Sequence, residues 1–230
     1  MQKDYIPKTK EVIYQDSSIF SYSIDTMLLN AYAKKQGVVA DVGCGTGLLA
    51  LKAAKETNVQ VVHAFDIQEK AIELLQLSAK ENRLEEKIIC HLGDINELSF
   101  PKASLDTIIS NPPFFISSLK GEKEGVNKAK HILSEKDWFA SISPWLKFHG
   151  NLYTIVDTAR LYSFLQAIED VGMAVKSIKF VHKKIDKEAM RALIWAKKGA
   201  KSQLRIDPPL TLYNEDNTYT EEVGKIYGKI

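Results

Sequence analysis

The run Val38-Val39-Ala40-Asp41-Val42-Gly43-Cys44-Gly45-Thr46-Gly47 constrains the fold of this chain more than any other segment. Apolar residues around one acid, then glycine at every second position, describe a buried strand entering a turn too tight for side chains. Leu48, Leu49, Leu51 and Ala54 follow at positions suited to packing, so a helix is expected over 47–56. The chain then repeats this alternation. Apolar runs at 59–65, 87–92, 105–110 and 151–156 read as further strands after 38–42. Between them, 68–82 places Ile72, Leu75 and Ala79 along one helical face. Ser134 with Asp137 three residues on resembles a capping box, and 159–170 reads as a helix ending near Gly172. Two more strands are expected near 175–181 and 190–196. The eight or so residues joining them are too few for a parallel crossover, so they should pair antiparallel. The pattern predicts an α/β protein whose mostly parallel, seven-stranded sheet has helices on both faces and an antiparallel last strand. Residues 1–36 are expected to pack on the core as an N-terminal segment, and 37–230 to form the domain proper.

The spacing D-x-G-x-G-x-G differs from the dinucleotide fingerprint G-x-G-x-x-G, which makes room for a pyrophosphate. Gly43, Gly45 and Gly47 bring the backbone close to a ligand while Asp41 contributes negative charge. A carboxylate repels a phosphate but attracts the ammonium and sulfonium of S-adenosylmethionine. The second strand ends in Phe65-Asp66, where an acid can accept both ribose hydroxyls, and Ile67 can cover one face of adenine. The third ends in Gly93-Asp94, where Asp94 can bind the adenine amine. Each acid alone reads more readily as a turn residue or helix cap. Three at consecutive strand ends, in this order, point to one ligand.

The fourth strand ends in Asn111-Pro112-Pro113-Phe114. By itself this reads either as a strand-ending turn or as a rigid holder for a planar NH2 group. In the second reading, the amide oxygen of Asn111 and a neighbouring carbonyl accept the two hydrogens, and Phe114 stacks on the ring. Its place after Asp41, Asp66 and Asp94 favours the second reading. The longest expected loop, 115–133, follows directly and carries Lys120, Lys123, Lys128 and Lys130.

With these residues in place, the chain resembles the Class I S-adenosylmethionine-dependent methyltransferases with an N-P-P-[FY] motif, which methylate planar nitrogens. More narrowly it resembles the bacterial tRNA adenine-N6 methyltransferases acting on valine tRNA at the adenosine 3′ to the anticodon (position 37). That narrower likeness rests on Phe20-Ser21-Tyr22-Ser23-Ile24-Asp25-Thr26-Met27-Leu28-Leu29, on Phe180-Val181-His182 through Arg191-Ala192-Leu193-Ile194, and on Pro208-Pro209-Leu210 through Tyr213-Asn214, then Tyr219-Thr220-Glu221-Glu222-Val223. Phe114 stands where Tyr is commoner. The resemblance implies a Rossmann-like fold and S-adenosylmethionine as cofactor, with tRNA as partner and no metal. It implies catalytic roles for Asn111, Pro112 and Phe114, cofactor contacts from Asp25 and the residues above, with Asn111 among them, and a substrate wall including Pro113. Enzymes acting on a protein glutamine or on rRNA guanine N2 share the tetrapeptide. The first usually carry a helical domain before the first strand, where this chain has about 36 residues, and the second often carry a duplicated domain. A non-catalytic RNA-binding module is a third alternative, disfavoured by the intact tetrapeptide.

Charge adds a partner. The net charge is only +2, yet 174–205 holds eight Lys and two Arg against Asp186 and Glu188. Such a segment suggests an RNA-facing surface, with Lys183, Lys184, Lys187 and Arg191 as candidate phosphate contacts. It reads also as a solvated edge hairpin. No apolar stretch approaches the ~20 residues that span a bilayer, and the N-terminus lacks the apolar core of a signal peptide. Cys44 and Cys90 have no metal-site spacing. A cytoplasmic protein with reduced thiols is expected.

Overall fold

The computed structural model describes residues 1–7, 9–16, 23–112 and 134–228. Pro113, Phe114, the segment 17–22 and the loop 115–133 lie outside the described residues.

Two short strands, β1 (Gln2–Tyr5) and β2 (Val12–Gln15), pair antiparallel ahead of the main sheet. Helix α1 (Ile24–Tyr32) follows, then β3 (Gly37–Val42), α2 (Leu48–Ala54), β4 (Val59–Asp66), α3 (Glu69–Glu81) and β5 (Ile88–Leu92). Next come β6 (Leu105–Ser110), α4 (Glu135–Ile142), β7 (Leu146–Asp157), α5 (Leu161–Asp170), β8 (Met173–His182) and β9 (Ala189–Lys198). The chain closes with β10 (Arg205–Thr211) and α6 (Glu221–Tyr227).

The main sheet runs β10-β8-β9-β7-β6-β3-β4-β5. Strand β9 pairs antiparallel with β7 and β8, and every other pairing in this sheet is parallel. The seven strands expected from the sequence are all present, and β9, the last of them, is the reversed one. The eighth, β10, was not foreseen. It joins the outer side of β8, and its register skips between Asp207 and Leu210, at Pro208 and Pro209.

The strands read as continuous apolar runs because both faces are covered. Side chains of period 2 divide them between two cores. Val39, Ile109, Tyr153, Ile155 and Leu193 join Met27, Leu28, Leu51 and Leu75 on the face covered by α1, α2 and α3. Ala40, Ile108, Leu152, Val156 and Ile194 join Phe139 of α4 and Phe164 of α5 on the other. Those two rings meet edge to face at 5.3 Å, a geometry that adds about 0.5–1.5 kcal/mol to burial alone. The β1–β2 pair is tied to α3 by polar bonds. Val12 N–H donates to Asn82 Oδ1 at 2.9 Å, and Tyr14 N–H to Ser78 Oγ at 2.9 Å.

All the parallel strands point their carboxyl ends to one rim. Because β9 is reversed, the turn from β8 to β9 falls on that same rim. In open α/β sheets this is where ligands bind.

Candidate active site

The glycine turn leaves β3 in the conformation its sequence demands. Gly43, Gly45 and Gly47 have φ of 74°, 51° and 88°, in the left-handed region that favours glycine. Space is equally restrictive: a Cβ on Gly47 would stand 2.2 Å from Leu75 Cδ1, and one on Gly43 3.3 Å from Trp138 Cη2. The N–H groups of Gly43 and Cys44 both donate to the Phe65 carbonyl at 2.9 Å, which fastens the turn to β4.

Asp41 lies beneath this turn, 1% exposed. Its Oδ2 accepts the Ala50 N–H at 2.9 Å, so it caps the first turn of α2 from inside the protein. Its Oδ1 is buried with no hydrogen-bond partner among the described residues. Burial pushes the carboxyl up to about 7; the Ala50 N–H opposes that shift and the nearby Asp66 charge adds to it.

Asp66 ends β4 and is also nearly buried. Its Oδ2 accepts the Gly45 N–H at 2.8 Å and its Oδ1 the Gln68 N–H at 2.9 Å. The carboxylate thereby links the glycine turn to the start of α3, and each oxygen keeps further acceptor capacity. Beside it, Ile67 is 63% exposed, an apolar surface suited to a flat ring. Asp94, after β5, accepts from Asn96 N–H and Nδ2 at 2.9 and 3.0 Å through Oδ1. The three acids therefore do have the local capping work that each suggested alone, and they also share one rim.

The residues fit S-adenosylmethionine on this structure's own terms. A buried carboxylate oxygen without a partner suits a cationic ligand, and the glycine turn is a cradle that side chains would fill.

Asn111 follows β6 directly. Ser110 Oγ donates to the Val42 carbonyl at 2.8 Å and holds the end of β6 against the end of β3. Asn111 and Pro112 line a pocket with Asp25, Ile155, Asp157, Arg160 and Arg191. The Asn111 Nδ2 donates to Thr26 Oγ1 of α1 at 3.3 Å. Asp25, expected near the cofactor, stands on the same helix turn and accepts from Arg191 Nε at 2.9 Å.

The basic segment departs from its sequence reading. Arg191, at the start of β9, donates through Nη1 to Asp157 Oδ2 at 2.7 Å as well as through Nε to Asp25. Its charge is balanced by two carboxylates that line the same pocket. Lys183 and Lys187 are exposed at the rim, but Lys187 pairs with Asp186 at 2.9 Å. Lys184 Nζ donates to the Glu215 carbonyl at 3.0 Å, which brings the acidic turn of Glu215 and Asp216 beside the hairpin tip. Lys176, Lys197 and Lys198 lie toward the opposite end of the sheet. The sequence sums these lysines into one patch; the strands distribute them end to end.

Asp157 and Arg160 of the pocket, and Thr26 just behind it, were missed. Asp157 ends β7, and the strand-end rule that selected Asp66 and Asp94 would have found it. Thr26 carried no signal, being one hydroxyl within an apolar helix. A second, larger cavity of about 270 Å³ lies between α1, α6 and β7 to β10. Its polar groups satisfy one another: Tyr32 to Ser177 at 2.6 Å, Ser177 to Asp207 at 2.6 Å and Arg205 to Asp207 at 2.7 Å. The sequence-predicted site residues lie at the strand-end rim and not in this cavity.

A mostly parallel sheet with one reversed strand and a glycine turn leaving β3 over a buried acid is the arrangement of a Class I methyltransferase. Solved structures share the fold. The crystal structure of a predicted O-methyltransferase from Agrobacterium tumefaciens matches with a TM-score of 0.72 at 19% identity, over 89% of this chain and 96% of that one. A SAM-dependent methyltransferase from Aquifex aeolicus matches with a TM-score of 0.56 at 16% identity, over 76% and 89%. The chain belongs to the methyltransferase small domain family, whose model matches residues 12–181. Among its relatives, the tRNA1(Val) (adenine(37)-N6)-methyltransferase of Phocaeicola vulgatus is 29% identical over 226 residues, 96% of this chain and 95% of the relative. The protein of the same name from Shewanella sp. strain MR-4 is 28% identical over 87% of each chain.

Proposed function

We propose that this protein transfers a methyl group from S-adenosylmethionine to the exocyclic N6 of an adenine in tRNA, adenosine 37 beside the anticodon of a valine tRNA, and that it does so in the cytoplasm. The observation that carries this reading is the position of Asn111: it follows β6 on the rim that Asp41, Asp66 and Asp94 share, with its side chain at the wall of a pocket. The relatives' shared name supports adenine in tRNA as the acceptor.

The cofactor supplies an electrophilic methyl group on a cationic sulfur. Asp66 would hold the ribose hydroxyls, Ile67 would cover one adenine face and Asp94 would take the adenine amine, while Asp41 would supply negative charge under the glycine turn. The amine of the target base is a poor nucleophile because its lone pair is delocalised into the ring. Asn111 Oδ1 and the Pro112 carbonyl accept its two hydrogens, turn the nitrogen toward the methyl group and stabilise the positive charge that develops there. No general base is needed before attack, because the methylated nitrogen is acidic enough to lose its proton afterwards. Unstacking the base costs a few kcal/mol. Stacking on Phe114, against Pro113, offsets about 1–3 kcal/mol of that.

The test is mass analysis of nucleosides after incubating the protein and S-adenosylmethionine with total tRNA, rRNA and protein fractions. N6-methyladenosine should form in tRNA, and Asn111→Ala should abolish it while sparing cofactor affinity by calorimetry. Methylguanosine in rRNA or methylglutamine in protein would overturn the adenine assignment. Equal loss of turnover and cofactor binding would make Asn111 structural.

A further inference from the structure

A carboxamide works as the acceptor for an incoming amine only if its oxygen faces the pocket. Rotated by half a turn, it would present its own N–H groups to those of the target. Something must select one orientation, and the side chains that select it lie on α1.

Asn111 Nδ2 donates to Thr26 Oγ1 at 3.3 Å. The Ser23 N–H approaches the same oxygen at 3.5 Å. A hydroxyl oxygen has two acceptor sites: the Ser23 N–H takes one and the Asn111 amide nitrogen takes the other. In this arrangement the amide nitrogen faces Thr26. Thr26 is nearly buried and does not line the pocket, whereas Asp25 beside it does. The amide nitrogen is thus drawn to α1, and Oδ1 is left for a donor in the pocket. The helix turn bearing Thr26 is itself fixed, because Asp25 is bridged through Arg191 to Asp157 at the end of β7.

We propose that Thr26 is a positioning residue for methyl transfer: it sets the amide orientation of Asn111, and the Asp25–Arg191–Asp157 bridge holds it in place. This rests on the reading of Asn111 as the acceptor of the target amine. Thr26 touches neither cofactor nor substrate, so its removal should slow the chemical step without weakening binding.

The experiment compares Thr26→Val, which keeps the shape and removes the hydroxyl, with Thr26→Ser, which keeps the hydroxyl. The assay is methyl transfer to tRNA at saturating cofactor. Thr26→Val should lower kcat about tenfold, the effect of losing one correctly oriented hydrogen bond between Asn111 Oδ1 and the reacting amine in the transition state. KM for tRNA and cofactor affinity by calorimetry should stay within about twofold of the parent, as expected when only the transition state loses stabilisation. Thr26→Ser should restore kcat to within about threefold, because the same acceptor is present. The proposal is overturned if Thr26→Val keeps the parent kcat, if KM rises while kcat holds, or if Thr26→Ser is as slow as Thr26→Val. A parent protein that methylates no adenine in tRNA would instead sink the functional reading beneath it.

Discussion

The buried carboxyl of Asp41 should make cofactor binding a proton-linked event. With the carboxyl near 7, about half the ligand-free molecules carry the proton at pH 7. A cationic ligand stabilises the ionised form and draws that pKa down toward its ordinary value of about 3.9. Binding S-adenosylhomocysteine, which retains the ammonium, should therefore release about half a proton per site at pH 7. It should release close to one at pH 6 and little at pH 8. The sign carries over to affinity, which should fall as pH drops below about 7, approaching tenfold per unit. The ligand-free fold responds oppositely: a carboxyl raised above its unfolded value makes stability decline as pH rises from about 4 to 7. Calorimetry at pH 7 in buffers of different ionisation enthalpy measures the released proton directly. Asp41→Asn can still accept the Ala50 N–H through its amide oxygen, so the helix cap survives while the titrating group is gone. It should bind more weakly and release no proton. A binding enthalpy independent of buffer in the parent, or the same release from Asp41→Asn, would refute this account.

Gly47→Ala must hold alanine at φ 88° with its methyl against Leu75. Left-handed strain and overpacking together should cost about 2–5 kcal/mol, read as a lower urea midpoint; a midpoint equal to the parent's would show that the turn can move aside. Lys183→Gln and Lys184→Gln should each flatten the salt dependence of tRNA binding by about 0.7–0.9 in log–log slope if each lysine meets a phosphate. An unchanged slope would mean that Glu215 and Asp216 already neutralise this tip.

The frame of this protein was legible because it depends on short-range chemistry. The glycine turn, the alternation of apolar runs and the eight-residue link before β9 each dictate a local shape, and together they leave one sheet arrangement. The strand-end acids were legible for the same reason, since a parallel sheet brings its carboxyl ends to one rim whatever the loops do. What escaped the sequence depends on partners far apart along the chain. Arg191 looked like one more cation in a basic run, and only the fold shows Asp25 and Asp157 on either side of it. Thr26 looked like any helix residue until Asn111 was placed beside it. Strand β10 was hidden by Pro208-Pro209, a pair that argues against a strand everywhere except at a sheet's margin.

That margin has a consequence for how the protein behaves in a crowded solution. An outermost strand ordinarily offers a row of free N–H and C=O groups on which a second copy can polymerise. Here the outermost strand contains two adjacent residues with no N–H to give, placed where the register already skips. The opposite margin, β5, is only five residues long. A stretch that resembled a family signature in the sequence thus also removes two N–H donors from the margin of the sheet, which works against the addition of a further strand there.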